Sequence, residues 1–218
     1  MTATQQRAAA PRRNHNRRQA ARRSGSGSRV VHIVAGLVLV AGAVAVQSLA
    51  LSADDMDMPL TYTGAKGQDV DAGRFSVRVQ KVSTAKAVKV ENKNVPSEQL
   101  FLVVEAAATV PAEPVHLGQP SLLAADGKMY AASDKIAKSR TLANPWIQPG
   151  WWTTGRFVFE VPASALPGAQ AVFKLPVSGL YSEPLPPEAQ IDLGIDDVTA
   201  KQLTTAPAAL FDLDEKKK

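Results

Sequence analysis

Apolar positions follow two different patterns along this chain. Residues 30–51, VVHIVAGLVLVAGAVAVQSLAL, form an apolar run with no charged residue. After residue 73 the apolar positions come in short segments that alternate with polar ones and are separated by Pro and Gly. The first pattern predicts a helix. Its 22 residues span roughly 33 Å at about 1.5 Å each, against a hydrocarbon core of about 30 Å. The second pattern predicts strands.

RFSVRVQKV at 74–82 places Phe75, Val77 and Val79 on one face and Arg74, Ser76, Arg78 and Gln80 on the other, as in a half-buried strand. Lys86–Val90 alternates again and ends in a polar turn at ENKN. QLFLVVEAAATV at 99–110 is apolar at nearly every position, which suits a central strand covered on both faces. In LLAADGKMYAA at 122–132, Asp126-Gly127 lies between two apolar arms and predicts a β-hairpin with a type I′ turn. WWTTGRFVFEV at 151–161 groups Trp151, Thr153, Phe157, Phe159 and Val161 toward the core. It turns Trp152, Thr154, Arg156 and Glu160 outward, and Pro162 ends the strand. AVFKL at 171–175 and AQIDLGI at 189–195 supply two later strands. Many short strands with turn residues between them, and little helical periodicity after residue 51, predict a β-sandwich.

The expected organisation is a disordered Arg-rich tail at 1–29, a transmembrane helix at 30–51 and a linker at 52–73. An all-β, immunoglobulin-like sandwich at 74–196 and a flexible C-terminal tail at 197–218 complete it. Charge supports this division. Residues 1–29 hold eight arginines and no acid, whereas the whole chain is +5, so the remainder carries −3. The basic tail is therefore no argument for nucleic-acid binding by the folded part. Arginines before the apolar run and Asp54, Asp55 and Asp57 after it orient the chain with its N-terminus cytoplasmic and its C-terminal domain outside, as a single-pass protein of the cell membrane. A cleaved signal peptide, with Ser48-Leu49-Ala50 as its site, is the alternative, and it also exports the domain.

Candidate chemistry is sparse. There is no cysteine, so disulfides, thiolate metal sites and cysteine nucleophiles are excluded. Of three histidines only His116, in PAEPVHLGQP, belongs to the outer domain. A hydrolase would have to use it, without an accompanying G-x-S-x-G. The acidic groups at 54–57 and at Asp192, Asp196 and Asp197 lack the glycine and terminal glutamate of an EF-hand loop. No cofactor and no metal is expected. The aromatic signal is stronger. Trp146, Trp151 and Trp152 are the only tryptophans in the chain and fall in NPWIQPGWW. Trp146 is expected on a loop and Trp152 outward beside Arg156. Trp146, Trp152 and Arg156 are thus the candidate binding residues, either as a protein-contact anchor or as a platform for a sugar or lipid.

The succession GQDVDAGRFSVRV, LFLVVEAAATV, LLAADGKMY and PGWWTTGRFVFEVP resembles the telokin-like, immunoglobulin-like domain of secreted and membrane-anchored actinobacterial proteins. The matching residues are Asp126, Gly127, Tyr130, Pro149, Gly150, Phe159 and Pro162, and the likeness covers roughly residues 65–180. The chain departs from the family pattern at ATVPAEPV, where the apolar strand is often followed by an Asn-containing turn. The resemblance implies an extracellular immunoglobulin-like fold without assigned enzymatic chemistry. Together these features predict a membrane-tethered binding module with a protein partner in the cell envelope, an accessory of a transporter or similar complex. A glycan or lipid binder is the second expectation and a hydrolase the third.

Overall fold

The computed structural model describes residues 26–47, 58–176 and 183–214, with side chains described from residue 31. The chain divides into two compact units, Met1–Ala50 and Leu51–Lys218. The first unit contains helix α1 (Ser26–Gln47), whose side chains from Val31 to Gln47 are exposed. Among the described residues no helix is long and apolar enough to cross a membrane. The expected span, 30–51, runs past α1 into residues 48–51, which lie outside the described residues, as do residues 52–57 of the expected linker and 1–25 of the Arg-rich tail.

The second unit is a β-sandwich. Its strands are β1 (Leu60–Ala65), β2 (Val70–Asp71), β3 (Ser76–Val90), β4 (Lys93–Thr109), β5 (Ser121–Leu123), β6 (Met129–Ala131), β7 (Thr153–Val161), β8 (Gln170–Lys174), β9 (Pro187–Asp192) and β10 (Phe211–Asp212). One sheet runs β1-β9-β8-β5-β6; the other runs β10-β3-β4-β7, with β2 added on β3. All neighbours are antiparallel except β1 on β9 and β10 on β3.

Alternation along the strands builds the core between the sheets. Phe75 just ahead of β3, Val77 and Val79 at its start, Leu102 and Val104 of β4, and Phe157 and Phe159 of β7 meet Leu122, Phe173 and Ile191 of the other sheet. Phe157 and Phe173 pack edge to face at 5.8 Å. Residues 100–108 are buried without interruption. Their odd positions Phe101 and Val103 enter a second cluster, with Val88, Ile136 and Val158, on the outer face of the β3-β4-β7 sheet. The continuous apolar run of β4 thus has a cover on each side.

Three expectations change. Residues 52–73 are not only a linker, because β1 and β2 fall inside that range and join the two sheets. The flexible tail at 197–218 is replaced, as far as Asp214, by helix α2 (Asp197–Thr205) and β10. Asp196 caps α2 by accepting from the Thr199 N–H at 2.7 Å, and Asp192 accepts from the Gly194 N–H at 2.8 Å. These carboxylates close local turns. The segment after α2 straps the outer cluster: Phe211 and Leu213 pack on it, and Lys89 pairs with Asp212 at 2.9 Å. The Glu91 N–H donates to Asp214 at 2.8 Å. Finally, the type I′ turn sits elsewhere. In the β5–β6 hairpin only Gly127 has positive φ (83°), and its N–H bonds the Ala124 carbonyl, whereas Glu91 and Asn92 between β3 and β4 both do (48° and 65°). Two left-handed residues in a two-residue loop match the strand twist there.

Candidate functional site

The three tryptophans flank the entry to β7, opposite the end of β4. Pro149 bridges Val110, Ile147 bridges Val115, and Ile147 is buried, so the loop carrying Trp146 is pinned at two points. Gly150 adopts φ 74° and the Trp151 N–H bonds the Gln148 carbonyl at 3.4 Å. That turn delays the strand until Thr153. Strand alternation therefore does not reach Trp151, which is 75% exposed rather than in the core. Trp146 is 57% and Trp152 41% exposed.

Each of two indoles has a polar neighbour. The His116 ring lies 4.0 Å from that of Trp146, tilted by 40°, and its Nδ1 is 3.2 Å from the Pro145 carbonyl. The guanidinium of Arg78 sits 4.9 Å from the centroid of Trp152. Arg78 is held there by Asp69, to which both Nε and Nη2 donate, the latter at 2.7 Å. That bidentate pairing holds the Asp69 carboxyl below its ordinary value and raises the guanidinium. A cation over an indole face is attracted by the ring quadrupole.

Arg156 is not part of this arrangement. Trp152 precedes β7, and four residues along the chain place it about 13 Å from Arg156. The Arg156 guanidinium lies over Phe211 at 5.3 Å and donates to the carbonyls of Leu213 (2.9 Å) and Asp212 (3.4 Å). Arg156 therefore fastens the C-terminal strap. Arg78 is the cation that reaches Trp152, and its sequence signal was present: it is an outward position of β3, and β3 lies two strands from β7. Trp146 and Trp152 occupy the same end of the sandwich, Trp146 on its loop as expected.

Other chemistry is thin. Among the described residues no group of three His, Cys, Asp or Glu could hold a metal. A recess of about 430 Å³ opens at the other end of β7, lined by Lys86, Ser97, Gln99, Leu100, Ala163, Thr204 and Pro207. One ammonium with hydroxyl, amide and apolar groups offers no acid–base pair there. Beside it, Glu160 accepts from the Glu98 N–H (2.5 Å) and the Ser97 hydroxyl (3.2 Å) and pairs with Lys135 (2.9 Å).

No protein-family model matches the chain, and no curated protein does. Solved structures are similar at low identity. The yjhA protein from Bacillus subtilis aligns with a TM-score of 0.46 and 15% identity, over 60% of this chain and 99% of its own. A secreted protein from Mycobacterium tuberculosis, MPT63, aligns at 0.42 and 19%, over 62% and 97%. An uncharacterised beta-sandwich protein from Clostridium difficile aligns at 0.38 and 13%, over 62% and 95%.

Proposed function

We propose that this chain is a membrane-tethered, extracytoplasmic binding module of the immunoglobulin-like, telokin-like type, working as an accessory of a cell-envelope assembly such as a transporter. The observation that carries the reading is the tryptophan end. All three tryptophans of the chain are exposed, and clustered aromatics left in water are the usual material of contact surfaces. Support for the tether comes from α1 and the apolar residues that continue to 51, with arginines before them and aspartates after. The residues that carry the family resemblance hold structural positions. Gly127 and Gly150 make positive-φ turns, Phe159 is in the core and Pro162 follows β7.

A glycan or lipid ligand is the second reading, supported by the same aromatics. A hydrolase based on His116 has less behind it, because the neighbours of that ring are a carbonyl and an indole. Crosslinking the full-length protein in its native membrane and identifying what co-purifies tests the leading reading. The wild type is expected to recover one envelope assembly, and a Trp146→Ala/Trp152→Ala variant to lose it. Unchanged recovery in the variant removes the tryptophan end as the contact surface. A wild-type sample that recovers nothing removes the accessory role.

A further inference from the structure

Resting on the reading of the tryptophan end as a contact surface, we infer that this end is seated in the lipid headgroup layer, with the indoles at the lipid–water boundary. The first argument is distribution. Among the described residues of the sandwich unit, nine large apolar side chains are exposed, and six of them (Met58, Leu60, Trp146, Trp151, Trp152 and Leu185) lie at one end. Hydrogen bonds connect them. The loop of His116, whose ring lies against Trp146, leads to Gly118, whose N–H bonds the Lys174 carbonyl at 2.9 Å. Lys174 lies opposite Glu188, and Glu188 opposite Thr61. The Leu60 N–H bonds Pro186, next to Leu185, at 3.0 Å. Arg74, just ahead of β3, pairs with Glu183 and ties the same segment to the β3–β4–β7 edge that carries Trp152.

The second argument is where the chain enters. Met58 and Leu60 are the first described positions of this unit, so the polypeptide arrives at the apolar end. Residues 48–57 are the ten that separate them from α1. At most about 3.5 Å per residue, they reach about 35 Å, comparable to the width of a domain this size. The chain leading from α1 therefore joins this unit at its apolar end. The third argument is chemistry. The three cations at this end are paired, Arg74 with Glu183, Arg78 with Asp69 and Lys174 with Glu188, so the surface presents indoles and aliphatic groups beside the exposed carboxylates of Asp71 and Glu113. Indole has an apolar body and a polar N–H, the combination enriched at both faces of a bilayer.

The experiment reconstitutes the full-length protein in phosphatidylcholine vesicles and reads tryptophan emission, which reports this end alone because the chain has no other tryptophan. Emission is expected to be blue-shifted, shielded from aqueous acrylamide and quenched by lipid spin-labelled near the headgroup more than by lipid labelled at the chain end. Water-exposed emission, quenched by acrylamide and untouched by either lipid label, overturns the inference. Stronger quenching by the chain-end label also overturns it, by placing the indoles in hydrocarbon. Lipid quenching can fail while a crosslinked protein is still lost in the Trp146→Ala/Trp152→Ala variant. The contact surface then stands and its partner is a protein. If both experiments fail, the contact surface falls as well.

Discussion

Replacing Phe211 by alanine distinguishes an integral C-terminal strap from a loose tail. The ring is half-buried against Val88, Phe101, Val103, Ile136 and Val158, with the Arg156 guanidinium 5.3 Å above it. A phenylalanine side chain buries about 150–250 Å² when fully covered. Half of that, at about 25 cal/mol per Å², is about 2.5 kcal/mol. The cation over the ring adds about 0.5–1 kcal/mol, and the alanine methyl retains part of the total. Phe211→Ala is therefore expected to destabilise the sandwich by about 2–3 kcal/mol, which lowers its Tm by about 4–12 °C for a unit of this size. Thermal unfolding followed by near-UV circular dichroism measures it. Leu210→Ala is the control: Leu210 is exposed and adjacent, and its loss is expected to stay within about 0.5 kcal/mol. A Phe211→Ala melting point indistinguishable from wild type, or equal losses at the two positions, refutes the strap.

Two further outcomes follow from the geometry. For Glu160, burial alone would raise the carboxyl, but Lys135, the Glu98 N–H and the Ser97 hydroxyl together hold it below its ordinary value. Its contribution is thus present above the ordinary carboxylate range and lost as pH falls through the lowered value. Glu160→Gln is expected to flatten the acid limb of stability in urea titrations, and an unchanged limb contradicts the assignment. At Gly155 a Cβ would stand 2.8 Å from Leu142 Cβ and 3.1 Å from its Cα. Gly155→Ala is expected to cost about 1–3 kcal/mol by overpacking, read as a lower denaturant midpoint; a rise in midpoint shows that Leu142 yields.

Sequence reading recovered the strands wherever alternation ran long enough. β3, β4 and β7 were legible because each presents four or more core positions, and β4 was legible as doubly covered because its run is apolar at nearly every position, with Glu105 the one charge inside it. The segments that were missed had shorter signals of the same kind. Leu60-Thr61-Tyr62-Thr63 alternates, and so does Phe211-Asp212-Leu213-Asp214, but two apolar residues do not stand out from linker composition. Asp196 read as part of an acidic cluster, although an Asp ahead of D-V-T-A-K-Q-L is equally an N-cap. Trp151 was misplaced because alternation was carried through a turn that Pro149-Gly150 imposes. Arg156 was assigned to Trp152 by shared face alone. Cross-strand register, which brings Arg78 to that position and the strap to Arg156, is set by the β-bulges of β3 and by residues more than 50 positions away, and no local window contains it.

The pairing order also constrains when the sandwich can form. β1 is the first strand among the described residues of the unit, yet its ladder partner is β9, so Thr61 waits for Glu188. The partner of Val88 is Phe211, near the end of the chain. A chain emerging N-terminus first can assemble the β3–β4 hairpin early, because only Glu91 and Asn92 intervene. β1, however, keeps an unpaired edge until almost the whole unit has emerged. Contacts of such long sequence separation slow folding and leave strand edges open meanwhile. Truncation even a few residues before Asp214 should therefore leave an apolar sheet face uncovered at the moment of release, and such fragments are expected to aggregate or be degraded rather than persist as shortened domains.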